Sequence, residues 1–310
     1  MEVTKFDKWE NLYTTAKGEE RGHVPFESLK TLWFNTGTQC NLECKNCYIE
    51  SSPKNDRLQY LELADVSPFL EEIKEHGHKL DNFGFTGGEP FLNPSIIQIL
   101  DETLKLKVPV LVLTNALRVL KRWEKQILDL HTCYGDLLRL RVSLDHYTKD
   151  LHEKERGPKS FNGALKGLKW LHENGIKVSI AGRSLKTESS EQVKNGYQAL
   201  LNDFDIDLIL DDSNLVIFPE MDPKGEVPEI TIHCWGILNK SPNDQMCAHE
   251  RMVVRKKGSK QADAQACTLL AYDETFNMGS TIKEASKSVH LNHRFCAEFC
   301  VLGGASCSST

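Results

Sequence analysis

Three cysteines near the start of the chain carry the spacing of a metal site. Cys40, Cys44 and Cys47 form a Cys-x3-Cys-x2-Cys run within Gln39-Cys40-Asn41-Leu42-Glu43-Cys44-Lys45-Asn46-Cys47-Tyr48. Three thiolates on one tight loop can cap three irons of a four-iron cluster and leave the fourth open to a non-protein ligand. This parallels the difference between closed structural metal sites and open catalytic ones. Zinc is the alternative, but it normally takes four protein ligands and no fourth lies nearby. Of the ten cysteines, six fall late in the chain: Cys234, Cys247, Cys267, Cys296, Cys300 and Cys307. Cys133 stands alone and reads as ordinary, and Cys234, in His-Cys-Trp, reads as a buried core thiol.

The compartment decides how such cysteines are used. The first 26 residues are polar and contain no apolar signal core, so a cytoplasmic location is expected. There thiols serve as metal ligands more often than as disulfides. No run reaches the 18 apolar residues of a membrane span. With 38 Lys+Arg against 44 Asp+Glu the net charge is −6, which argues against a nucleic-acid groove. The run Arg255-Lys256-Lys257 reads as a solvated turn. The carboxylates Asp211, Asp212 and Glu220 read as loop charges.

The elements that must position the first cysteines are legible as alternating patterns. Apolar strand-like runs at Thr31–Thr36, Asn82–Thr86, Val108–Thr114, Leu138–Leu144, Lys177–Ala181 and Leu215–Phe218 end in turn-forming residues. Between them lie helical patterns such as Leu61–His76 and Phe161–Asn174; in the latter Phe161, Leu165, Leu168 and Leu171 share a face and Gly175 follows as a stop. Strand–helix alternation predicts a parallel α/β sheet, open or rolled into a barrel. After Pro219 the composition turns polar and cysteine-dense. The predicted divisions are an N-terminal extension over 1–30, a strand–helix unit over 31–221 and a cysteine-rich unit over 222–310.

The cysteine run after the first strand, followed by Gly87-Gly88-Glu89-Pro90 after the second, resembles the radical S-adenosylmethionine (radical SAM) superfamily over about residues 30–220. One departure is Asn46, where the family usually has an aromatic residue before the third cysteine; Tyr48 comes just after. The resemblance implies a partial (β/α)6 TIM-like barrel with a [4Fe-4S] cluster at the C-terminal ends of its strands. It also implies S-adenosylmethionine chelated by the open iron, with reductive cleavage to a 5′-deoxyadenosyl radical that abstracts a substrate hydrogen. Carried over by motif, Cys40, Cys44 and Cys47 hold the cluster. Tyr48, Gly87, Gly88, Glu89, Pro90, Asn115, Ser143, Asp145 and Arg156 would contact the cofactor. Gly87 and Gly88 would let the backbone approach it, Glu89 would help hold the methionyl amine, and Arg156 would pair with its carboxylate. Turn capping is the alternative for Asn115 and Ser143, and a surface ion pair for Arg156.

The late cysteines resemble a shortened SPASM or twitch extension. That implies one auxiliary [4Fe-4S] cluster, with Cys247, Cys267, Cys296, Cys300 and Cys307 competing for at most four ligand places. A zinc site or plain buried thiols remain the alternatives. The implied partners are an electron donor such as flavodoxin or ferredoxin and a small-molecule or peptide substrate. With about 30 residues ahead of the first strand, too few for a leader-binding core, the sequence leans toward a small molecule or toward a peptide recognised without a built-in leader domain. A non-catalytic electron carrier or metal-binding scaffold on the same fold is the competing function.

Overall fold

The computed structural model describes residues 7–184, 187–221 and 225–305. The boundary expected at 222 and the ligand candidate Cys307 therefore lie outside the described residues. A short strand β1 (His23–Val24) is followed by β2 (Thr31–Asn35), α1 (Leu63–His76), β3 (Asn82–Thr86), α2 (Ile96–Leu104), β4 (Val110–Thr114), α3 (Glu124–Tyr134) and β5 (Leu138–Ser143). Then come α4 (Lys149–Arg156), α5 (Ser160–Glu173), β6 (Lys177–Ser184), α6 (Ser190–Asp203) and β7 (Leu215–Pro219). The strands β2 to β7 pair in sequence order, all parallel. This is the mostly parallel α/β architecture expected of a partial barrel.

Element ends follow local chemistry. The strand expected from Val108 begins at Val110, because Pro109 has no N–H to give the ladder. The strand expected to stop at Ala181 runs on to Ser184, because β7 supplies partners as far as Pro219. In α1, Leu61 is excluded because Glu62 is the N-cap, locked in a reciprocal box with Asp65; Gly77 closes the helix at φ 65°. In α5 the apolar stripe Phe161, Leu165, Leu168 and Leu171 is buried as its spacing requires.

After β7 the chain forms α7 (Cys234–Leu238), β8 (Glu250–Val254), β9 (Asp263–Gln265), β10 (Asn277–Gly279), α8 (Ile282–Ala285), β11 (Val289–His290) and a π-helical run, Cys296–Leu302. Strand β8 pairs parallel to β2, from Thr31 opposite Glu250 to Phe34 opposite Val253, and β9 and β10 follow antiparallel. The cysteine-rich segment thus extends the barrel sheet on the side away from β7. β1 and β11 form a separate antiparallel ribbon, and buried Arg21 pairs with Glu229 at 2.8 Å.

Strand alternation sorts the core onto two faces. Leu32, Phe34, Phe83 and Phe85 pack outward against the helices. Trp33, Leu111, Met252 and Val254 fill the interior with Leu269 and Phe299. Trp33 lies across Gly84 of β3, where a Cβ would come within 2.2 Å of the indole. Its N–H donates to Glu250 at 2.6 Å. No helix among the described residues is long and apolar enough to cross a membrane.

Candidate active site

The loop after β2 carries Cys40, Cys44 and Cys47, and all three line one open cavity of about 1070 Å³ at the C-terminal ends of the strands. Backbone N–H groups aim two of the sulfurs: Leu42 donates to Cys40 Sγ at 3.4 Å and Ser51 to Cys47 Sγ at 3.3 Å. Burial pushes the Cys40 thiol up to about 12 and raises Cys44 as well. A metal group taking these sulfurs would therefore displace protons.

The turn after β3 is threaded against this loop. Gly88 N–H donates to Gly37 O at 2.8 Å and Glu89 N–H to Gln39 O at 3.1 Å. Gly87 has φ +132°, and a Cβ there would come within 2.6 Å of Gly37 O. At Gly88 a Cβ would sit 2.1 Å from Gln39 O. Only glycine allows that approach.

The expected contact residues fall in two groups. Tyr48, Gly87, Gly88, Asn115, Ser143, Asp145 and Arg156 line the cavity with the cysteines. Glu89 and Pro90 lie behind its wall. Both Glu89 oxygens are engaged: one accepts from Phe91 N–H at 3.2 Å and Thr114 O–H at 2.8 Å, the other from Asn115 N–H at 2.8 Å. Burial pushes the Glu89 carboxyl up to about 7 against those three donors. Asn115 also donates from its side chain to Asn41 Oδ1 at 2.9 Å, tying β4 to the cysteine loop.

Asp145 and Arg156 face each other with two contacts, Nε at 2.9 Å and Nη2 at 3.1 Å from the carboxylate oxygens. Burial opposes the Asp145 charge, but Arg156 and Arg183 override it and hold the carboxyl below its usual range. Arg183 was not singled out from sequence, though its place at the C-terminal end of a barrel strand was a usable signal. It lines the cavity, lies 3.6 Å from Asp145, donates to Asn46 O at 3.0 Å and covers the Tyr48 ring at 5.0 Å.

A second, more enclosed cavity of about 550 Å³ is ringed by Cys247, Cys267, Cys296 and Cys300. Cys234 is elsewhere, its sulfur accepting from Thr231 N–H at 3.3 Å, and Cys133 is exposed. Among the described residues no three His, Cys, Asp or Glu side chains close on a single metal-ion point. Burial pushes Cys247 and Cys267 up to about 12 and Cys296 well up. Buried Arg251 lines this cavity and donates to the carbonyls of Cys247, Glu250, Ala285 and Lys287. A cation held by neutral acceptors beside four thiols suits a negatively charged thiolate centre. Thr268 and Leu269, next to Cys267, line both cavities.

The family model of the radical SAM superfamily matches residues 34–195, and the chain belongs to that superfamily. With membership come its cofactors, a [4Fe-4S] cluster and S-adenosylmethionine. The chain is 34% identical over 173 residues to the antilisterial bacteriocin subtilosin biosynthesis protein AlbA of Bacillus subtilis, covering 54% of this chain and 35% of AlbA. Two solved structures share the fold. Streptococcus suis SuiB bound to its precursor peptide SuiA matches at TM-score 0.56 and 15% identity, over 82% of this chain and 62% of that one. His-tagged anSMEcpe with bound AdoMet matches at TM-score 0.58 and 14% identity, over 84% and 80%. The chain spans about a third of the length of the curated relatives it matches.

Proposed function

We propose that this chain is a radical SAM enzyme that modifies a peptide, with one cluster in the barrel and an auxiliary cluster in the tail. The observation that carries the first part is the convergence of Cys40, Cys44 and Cys47 on a cavity walled by the backbone of Gly87–Gly88 and by the Asp145–Arg156 pair. When bound, the cluster and S-adenosylmethionine supply a reductive cleavage whose 5′-deoxyadenosyl radical takes a hydrogen atom from substrate. The chain's residues do the rest. Cys40, Cys44 and Cys47 would hold the cluster at the cavity wall. The glycines let backbone approach the ligand, and the Arg156 guanidinium, held by Asp145 through Nε and Nη2, would set its positive charge at the cavity wall for a carboxylate. Glu89 fixes the turn against β4 from behind. Trp33, Leu269 and Phe218 give part of the cavity an apolar lining, which would disfavour water beside a reactive centre.

Four thiols around the second cavity support an auxiliary [4Fe-4S] cluster on Cys247, Cys267, Cys296 and Cys300. They ring a volume rather than meeting at a point, which suits irons set apart. In this reading 31–221 is the catalytic barrel, 222–310 the SPASM/twitch-like module that docks on it through β8, and 1–30 an extension. A peptide substrate is supported by AlbA, named for biosynthesis of a bacteriocin, and by SuiB, solved with a precursor peptide. This favours a peptide over a small molecule. A low-potential donor such as flavodoxin or ferredoxin and a reducing, cytoplasmic setting suit a protein whose described cysteines are all free thiols.

The test is anaerobic reconstitution and reduction with S-adenosylmethionine, then with short peptides encoded beside the gene. About eight irons per chain and 5′-deoxyadenosine are expected, by four irons per cluster. One encoded peptide should gain a cross-link or lose mass. Undiminished 5′-deoxyadenosine from a chain lacking Cys40, Cys44 and Cys47 would end the proposal.

A further inference from the structure

The two cysteine sites meet through aromatic rings, each one residue from a cysteine. Tyr48 follows Cys47, and its ring stands edge-on to Phe299 (5.7 Å, 77°) and Phe295 (6.1 Å, 74°). Phe295 and Phe299 directly precede Cys296 and Cys300. All four belong to the π-helical run Cys296–Leu302 and its leading residue. Cys296 and Cys300 line the tail cavity, while Phe299 is fully buried and stacks on Phe218 at 5.6 Å. Tyr48 also lies under Arg183, which grips the neighbouring Asn46 carbonyl. Asn46 itself is exposed and donates to Glu155 at 2.7 Å, so the aromatic packing of this loop falls to Tyr48.

We propose that Tyr48 is a positioning residue through which the tail site fixes the first cysteine loop. Occupation of the tail cavity at Cys296 and Cys300 immobilises the π-helical run, a conformation that persists only where its surroundings hold it. The fixed Phe295 and Phe299 rings then hold Tyr48, and with it Cys47, in the geometry that accepts S-adenosylmethionine. The two sites are therefore coupled, and the coupling is reciprocal. An edge-on aromatic pair corresponds to roughly a 2- to 12-fold change in an equilibrium constant.

This rests on the two-cluster reading, and the experiment separates the two. In the full, iron-loaded chain, S-adenosylmethionine affinity is measured by anaerobic calorimetry, with the EPR spectrum of the reduced protein before and after the ligand. Phe299→Met keeps volume and removes the ring. It should retain about eight irons, bind S-adenosylmethionine roughly 2- to 12-fold more weakly and show an altered ligand-bound spectrum. In a Cys296→Ser/Cys300→Ser background the same change should add nothing further. Unchanged affinity and spectrum in an iron-replete Phe299→Met chain, or additive losses in the combined variant, would overturn the coupling. About four irons in the unaltered chain would instead remove the two-cluster reading, and the coupling with it. Should Phe299→Met not fold, Phe295→Met enters the same cycle with the same expectations.

Discussion

Replacing Gly88 by Ala tests whether the turn after β3 seats the first cysteine loop. A Cβ at this position would lie 2.1 Å from Gln39 O, 2.5 Å from Gln39 C and 2.8 Å from Thr38 O. All three are backbone atoms, so no side-chain rotation relieves the clash. Ordinary contact begins at 3.4 Å, so one of the two loops has to retreat by more than about 1 Å. Gln39 is covalently joined to Cys40, and the retreat carries that sulfur with it. It also breaks the Gly88–Gly37 and Glu89–Gln39 hydrogen bonds. Two such bonds at about 1 kcal/mol each, with about 1–3 kcal/mol of overpacking strain, leave a folded protein within the usual 5–15 kcal/mol. Misplacement of a reacting group by 1 Å costs on the order of 10²-fold in rate. The expected result is a folded chain that keeps its tail irons and forms 5′-deoxyadenosine about 10²-fold more slowly, read by chromatography alongside iron analysis. Gly236→Ala, whose Cβ would meet nothing within 4 Å, is the matched control. A Gly88→Ala chain with the unaltered nucleoside rate would refute the inferred seating.

Three further outcomes follow from the charges and thiols. Among the described residues, Arg156→Met leaves buried Asp145 with Arg183, at 3.6 Å, as its remaining ion-pair partner. It should cost about 2–4 kcal/mol in denaturant unfolding and raise the KM for S-adenosylmethionine; an unaltered KM would show that this guanidinium does not meet the cofactor. His152 is fully buried, with both ring nitrogens unpartnered, and burial pushes it down to about 4 from 6.5. The folded state thus binds fewer protons than the unfolded chain between those values. The stability is present above 6.5 and lost as pH falls toward 4, by up to about 3 kcal/mol. Urea titrations at pH 7 and pH 5 should show a drop in the unaltered protein that His152→Leu lacks. In metal-free protein at pH 8, a thiol at about 12 has roughly 10³-fold less thiolate than one at the ordinary 9.0, so Cys247 and Cys267 should resist iodoacetamide while exposed Cys133 reacts. Mass spectrometry showing equal labelling would contradict the half-buried, protonated Cys247 and Cys267.

What could be read from the sequence divides along the distance over which its physics acts. Strands β2 to β7 were legible because parallel strands covered on both faces are continuous apolar runs between turn residues. The cysteine loop and Gly87–Gly88 were legible because their spacing answers to the size of a ligand, within a few residues of chain. Pairing of β8 with β2 joins Thr31 to Glu250, and nothing local to either records it. Arg183 lies two residues beyond the strand end expected at Ala181, and it is the continued pairing of β6 with β7 that carries it over Tyr48 and Asp145. Glu89 reads as a ligand residue by motif, yet its three donors come partly from β4, 25 and 26 residues further on. The meeting of Tyr48 with Phe295 and Phe299 depends on the same closure, because β8 carries the tail back to the barrel and sets the π-helical run beside the loop. Local spacing therefore specifies which chemistry the chain is built for, and sheet closure decides which of those residues touch. That division explains why each cysteine group could be recognised separately from sequence, while the contact between them emerged only from the fold.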